Sequence, residues 1–438
     1  AKSINKDKSS KIQSLNEWTS RGPYYMGGRT RALAFDINDE NRILAGGVDA
    51  GVLLSTDGGT TWKKKTTNSQ FPSITTIDQD KRPGKQNIWY HGTGERLGSR
   101  ALGNGIFKST DNGETWFQLE STINGSTGSW DNSFDFVYRV RTNPNAPNSR
   151  DEVYAALSLG GVYRSIDGGV TWNPTIGFGI SNTSSYYSDI EVTSKGVFYA
   201  ALSSHGSSDR QSLIKGVYRS TDGDKWVDIT PDNFPERYNR IAIAIDPQNE
   251  NKVYFVGETP GFGTLTTNSR QDSIWHSLYK YEYISDDGKD QNGKWTNLSQ
   301  NIPNPELVRH QMNSQGGYDL HVKVHPTDSN IVYIGAVNLY RSKSAWQQND
   351  FEIIGGTCPT QDCDYFYRYP NHHADQHNLV FLPSNTDIMF TASDGGIHKT
   401  LDSKGLNTEW ISLNEKLNAM VDKGVSPNIA SFIGATTL

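Results

Sequence analysis

One motif recurs seven times along these 438 residues, and its spacing limits the fold more than any other feature. S-T-D-G-G-T-T-W runs from Ser55 to Trp62, S-T-D-N-G-E-T-W from Ser109 to Trp116, and S-I-D-G-G-V-T-W from Ser165 to Trp172. A shortened copy spans Ser220 to Trp226. Weaker copies run from Ser285 to Trp295, Ser342 to Trp346 and Thr400 to Trp410. The leading hydroxyl residues are separated by 54, 56, 55, 65, 57 and 58 positions. The residue types suit a tight turn. Asp accepts backbone N–H groups, Gly takes a left-handed backbone conformation, Ser bonds locally, and Trp buries its ring while its N–H seeks a partner. The motif therefore reads as a folding device with no catalytic role.

The same strand pattern surrounds each copy. In the first unit, Arg31–Asp36, Arg42–Gly46 and Val52–Ser55 read as three strands, and Trp62 opens a fourth. The stretches I-A-I-A-I-D-P after Asn239 and V-K-V-H-P after His321 begin later units in the same way. A unit of four short strands cannot bury both faces alone and must stack on its neighbours. The expectation is an all-β protein, a β-propeller of four-stranded blades with seven recognisable blades plus a partial eighth. The eighth is read from the ends, where Trp18–Ser20 resembles a stray fourth strand and Asn428–Ala435 echoes the second strand at Asn330–Ala336. Residues 1–17 are expected to be an extension, 18–413 the propeller, and 414–438 the start of a further blade or a closing segment, the chain being a piece of a larger protein.

Composition agrees with this class and narrows the partners. There are 42 Gly, with 11 Trp, 21 Tyr and 16 Phe supplying bulk. The balance of 42 basic against 48 acidic residues has no basic block interleaved with aromatics, so nucleic acid is not an expected partner. No apolar run is long enough to span a bilayer. The only cysteines, Cys358 and Cys363, enclose a Pro and polar turn-formers, which suits a disulfide and an oxidising, extracellular or cell-surface compartment. Two free thiols, or a zinc site with nearby histidines, are the alternatives.

The motif copies, the opening W-T-S-R-G-P…G-G-R-T-R-A-L-A-F-D, the G-T-G-E at Gly92–Glu95 and the H-A-D-Q-H at His373–His377 resemble the Asp-box (BNR-repeat) propellers of bacterial sortilin-like and glycosyl hydrolase-like proteins. Xyloglucan endoglucanases and sialidases are relatives of that group. The resemblance implies a fold that hosts hydrolases, receptors, assembly factors and adhesins alike. Arg21-Gly22-Pro23 only loosely echoes the sialidase arginine motif, and no further Arg can be assigned to a sialidase triad. Asp49, in A-G-G-V-D-A-G, is similar to one catalytic carboxylate of the endoglucanases, whose second carboxylate lies on a second propeller. Glycoside hydrolysis ordinarily needs two carboxylates flanking one bond.

The link between second and third strands falls at one mouth of the channel in every blade. It carries Asp49, Glu95, Ser158, Ser204 with His205, Glu258, Asn338 and Asp394. These are the candidate ligand-binding residues, with Asp49, Glu95 and Asp394 the candidate catalytic carboxylates, and solvated loop charges the alternative. His373, Asp375 and His377 would share one face of a strand and ligate a divalent cation, or form a hydrogen-bonded His–Asp ladder between blades. Asp319 and His321 enter the preceding blade in the same way. Arg29 and Arg31 are candidates to brace a blade seam or to bind carboxylates, and Asp286, Asp287, Asp290 and Asn292 loosely resemble a calcium loop. The expected function is a secreted or cell-surface binding module for glycan or protein. A glycoside hydrolase and a structural part of a larger surface assembly are the alternatives.

Overall fold

In the computed structural model the described residues are 27–67, 70–71, 73–95, 101–123, 125, 129–179, 185–203, 214–306, 308–357, 369–406 and 408–414. They form seven antiparallel sheets, each built from consecutive strands, and no α-helix. Among them no helix is long and apolar enough to cross a membrane. Blade 1 shows how closely local sequence sets the strands. Thr30–Phe35, Ile43–Gly47, Gly51–Ser55 and Lys63–Lys64 lie within a residue or two of the expected bounds. Blades 2, 3, 4, 6 and 7 repeat the order, with innermost strands Ile74–Gln79, Val137–Thr142, Tyr187–Val192, His321–His325 and Gln376–Leu382.

Blade 5 explains the one long step of 65 in the repeat. Its third strand, Ser273–Tyr283, is 11 residues long. Beyond Lys252–Glu258 it pairs with the fourth strand Gly293–Asn297 through one half and with an added strand, Thr264–Thr267, through the other. That hairpin extends the blade toward the mouth.

The repeat turns are built as their composition requires. Asp57 accepts the Thr61 N–H (2.7 Å) and hydroxyl (2.6 Å), while Ser55 donates to Asp57 (2.8 Å) and accepts the Gly59 N–H (2.9 Å). Asp111 and Asp167 make the same bonds with Thr115 and Thr171. The first positive-φ position holds Gly58 and Gly168 but also Asn112 at 60°, since Asn tolerates the left-handed region. These turns join third to fourth strands, at the opposite end of each blade from the mouth. The Trp expectation holds only in part. Trp62, Trp295 and Trp410 donate to backbone carbonyls, whereas Trp116, Trp172, Trp226 and Trp346 bury an N–H with no partner among the described residues. Packing of the ring into a seam cluster, not the N–H, is therefore what the copies share.

Seven apolar clusters fill the seven seams between blades. The one that closes the ring packs Leu33, Ile43, Ala45 and Trp62 of blade 1 against Phe390, Ala392 and Ile397 of blade 7. Phe35 meets Phe390 edge to face, 5.1 Å between centroids, and Gly27 N–H donates to the Gly395 carbonyl at 2.9 Å. Blade 1 thus lies directly on blade 7, and among the described residues the ring closes at seven blades. The stretches on which the expectation of a partial eighth blade rested, 18–20 and 428–435, lie outside the described residues.

Candidate functional site at the channel mouth

Strand alternation puts three kinds of segment at one end of the propeller: the start of each inner strand, the link between second and third strands, and the chain leaving the fourth. Four blades contribute to a single polar cluster there. Arg29 and Arg31 enter the first strand of blade 1. Arg29 Nη1 donates to Glu95 Oε2 of blade 2 and its Nε to Asp394 Oδ1 of blade 7, both at 3.2 Å. Arg31 Nη1 donates to Glu95 Oε1. Glu95 is only 1% exposed, so two guanidinium groups neutralise a carboxylate that burial would otherwise disfavour. Burial works against the charge on Arg29, but Asp394, Tyr318 and Glu95 outweigh it.

Tyr318, from the segment entering blade 6, fills the centre of the cluster. The guanidinium carbons of Arg29 and Arg31 lie 5.2 and 5.1 Å from its ring centroid, and its hydroxyl donates to Asp394 Oδ1 at 2.8 Å. His377 Nε2 lies 2.6 Å from the same oxygen. Burial lowers the His377 pKa, so the ring is neutral and Nε2 carries the proton. Although burial alone would raise the Asp394 pKa, His377 and Arg29 pull it well below the ordinary carboxylate range. Three donors therefore converge on Oδ1. Oδ2 has no hydrogen bond among the described residues, and the side chain stays 19% exposed.

Two further carboxyls lie beside this one. Asp319 is fully buried, and burial, with the charges of Asp375 and Asp394 and a side-chain hydrogen bond to Asp375, pushes its pKa well up. It is neutral, so its 3.8 Å approach to His377 Nδ1 is a contact between uncharged groups and not an ion pair. Asp375, whose Oδ1 accepts from Gln315 at 2.9 Å, is pushed up to about 6, first by burial and then by the charge of Asp394. The mouth thus holds one locked carboxylate, one carboxyl that titrates near 6, and one that keeps its proton.

Of the expected mouth residues, Glu95 and Asp394 are brought together through Arg29. Asp49 occupies the turn between Ile43–Gly47 and Gly51–Ser55, partly exposed, and the neighbouring Val48 N–H bonds the Arg29 carbonyl at 3.1 Å. Glu258 lies apart on blade 5, where Ser314 and Asn239 donate to it at 2.7 and 3.2 Å and burial raises its pKa. Asn338 is corrected from ligand-facing to structural: it is fully buried, accepts from Thr357 and donates to the Arg309 carbonyl. His205, Cys358 and Cys363 lie outside the described residues. The metal expectation is also corrected. The inner strand of blade 7 begins at Gln376 and Asp375 takes a φ of 64°, so His373, Asp375 and His377 do not alternate on one face. No three His, Cys, Asp or Glu side chains converge on a metal position among the described residues. Instead His377 bonds Asp394 within blade 7, and His373 Nδ1 lies 2.8 Å from the Ala374 carbonyl. Asp287 turns onto its own loop, accepting the Lys289 N–H at 2.9 Å. Tyr318 was missed from sequence. Its signal was an aromatic residue immediately before the Asp319–His321 pair already singled out.

No family model matches the chain. Over 259 residues, half of its length, it is 29% identical to the xyloglucanase Xgh74A of Acetivibrio thermocellus. The chain is a seven-bladed β-propeller similar in part of its sequence to a GH74 xyloglucanase. The match covers 28% of that curated relative, so this xyloglucanase-related propeller spans a minor part of its length. Among solved structures, an ancestral GH74 enzyme superposes with a TM-score of 0.61 at 17% identity over 91% of this chain and 48% of its own. The GH74 xyloglucanase of Xanthomonas campestris superposes with a TM-score of 0.61 at 15% identity over 89% of this chain and 55% of its own. At these identities the superpositions establish the fold.

Proposed function

We propose that the mouth of this xyloglucanase-related propeller binds a polysaccharide chain, and that the protein acts at or outside the cell surface as a rigid glycan-binding module. The observation that carries this reading is the state of Asp394. Its Oδ1 is saturated by Arg29, Tyr318 and His377, which holds the group ionised and immobile, while Oδ2 stands without a partner among the described residues at a partly open position. A fixed carboxylate oxygen of this kind suits a sugar hydroxyl donor, with little ordering cost left for binding. Apolar surface on the same face supports the reading. Trp130 (48% exposed), Phe178 (50%) and Leu159 sit in mouth-side segments of blade 3 and offer a platform for the faces of sugar rings. The test is titration calorimetry with xyloglucan oligosaccharides alongside a broad glycan array. Saturable binding that Asp394→Asn abolishes is expected. No glycan bound by a folded sample would overturn the proposal and leave a protein ligand as the occupant.

One observation favours hydrolysis as a second reading. Asp375, titrating near 6, and the ionised Asp394 pair a potential proton donor with a carboxylate, which is the division of labour that glycosidases use. Release of reducing ends from xyloglucan, lost in Asp375→Asn with binding retained, would support this reading. Binding without release would exclude it.

A further inference from the structure

Below the mouth the channel opens into a cavity of about 330 Å³ whose charges do not balance. Arg31, Lys81, Arg139, Arg141 and Lys323 line it, against Asp78 and Glu191. The arginines account for the nearby carboxylates. Arg139 holds Asp189 through two bonds of 2.8 and 3.0 Å, Arg141 holds Glu191 through two of 2.8 and 2.6 Å, and Arg31 is paired with Glu95. Asp78 accepts the Thr142 N–H and hydroxyl at 2.7 and 2.8 Å.

Two cations remain. Lys323, midway along the inner strand of blade 6, makes no hydrogen bond or ion pair within 4 Å among the described residues. Arg240, just before the adjacent inner strand of blade 5, donates to the Gly317 carbonyl at 3.1 Å. Burial, and then the repulsion of Arg141 and Arg139 against the pull of Glu191, brings the Lys323 ammonium down to about 8. Arg240 is brought down to about 10, chiefly by burial, against the pull of Asp189 and with Arg139 and Arg31 adding to it. Arg139, which lines the cavity with Lys323, keeps Nη1 unused among the described residues. Charges partly withdrawn from water are ordinarily paired, because an uncompensated one is disfavoured. Here the half-buried Lys323 and Arg139 line the same cavity with donors to spare among the described residues.

We infer that the channel is a binding site for a small tetrahedral oxyanion, held by Lys323 with the free N–H groups of Arg139. Such an ion offers several acceptor oxygens and a multiple negative charge, which matches this donor set. Its source is free phosphate or sulfate, or a sulfate ester carried on a glycan. This inference does not depend on glycan binding at the mouth.

The test uses the whole chain and inorganic phosphate or sulfate as the probe, by thermal shift and calorimetry, against chloride at equal ionic strength. A melting temperature that rises saturably with phosphate or sulfate, and not with chloride, is expected. Lys323→Met should weaken that binding at least tenfold and be no less stable than the parent in chloride, since it removes an unpaired charge. Lys323→Arg should retain most of the affinity. If Lys323→Met does not fold, saturation in the parent and retention in Lys323→Arg still decide the matter. A linear response that all three salts share, or unchanged affinity in folded Lys323→Met, would overturn the inference. Binding of a sulfated oligosaccharide that free sulfate fails to displace assigns the ester as the source.

Discussion

His377 Nε2 and Asp394 Oδ1 stand 2.6 Å apart across the first two strands of blade 7. The bond fixes the tautomer of a buried neutral imidazole and turns one carboxylate oxygen inward, leaving the other toward the mouth. Asp394→Asn keeps the shape but removes the charge opposite Arg29. It should cost about 2–3 kcal/mol of stability, measured by denaturant unfolding, because the guanidinium is left less compensated. Glycan affinity should fall below detection while the folded spectrum is retained.

A pH dependence follows from Asp375. Its folded pKa of about 6 lies above the ~3.9 of an unfolded Asp. Between those values the folded protein holds a proton that the unfolded chain has released, so stability falls as pH rises through that window. The melting temperature of the parent relative to Asp375→Asn should therefore drop between about pH 4 and 6 and level off above 7. A difference that stays constant with pH would show that Asp375 titrates normally.

The repeat turns should matter for folding alone. Asp111→Ala removes the acceptor for Thr115 and Ser109 on the side away from the mouth. A loss of about 1 kcal/mol is expected, given the exposure of the turn. Calorimetric affinity for any mouth ligand should be unchanged.

Trp130→Ala separates platform from pocket. Trp130 is half-exposed and meets Phe136 edge to face at 5.0 Å, so truncation should cost at most about 1 kcal/mol of stability. If long oligosaccharides lie across blade 3, their affinity should fall tenfold or more while that of short ones is preserved. An equal loss for both lengths would move the ring out of the ligand path.

Blade strands and repeat turns were legible because their determinants are local. The bonds of Asp57 reach two to four residues, and alternation within Thr30–Phe35 depends on neighbours alone. Candidate mouth residues were legible for the same reason, since a link between second and third strands must fall at one end of a blade. The sequence by itself determined the fold class, the blade spacing and the ring of positions from which Glu95 and Asp394 come. Only the tertiary structure decided that the ring closes at seven. Closure depends on how Leu33 and Phe35 of the first blade meet Phe390 of the last, and no local pattern records that angle. Closure then sets which side chains share the mouth and the channel. Arg29 reaches Asp394 across 365 positions, Tyr318 arrives from the blade before, and Lys323 is left facing the arginines of blade 3. Their charge states follow from burial and mutual distance, which exist only once the ring is closed.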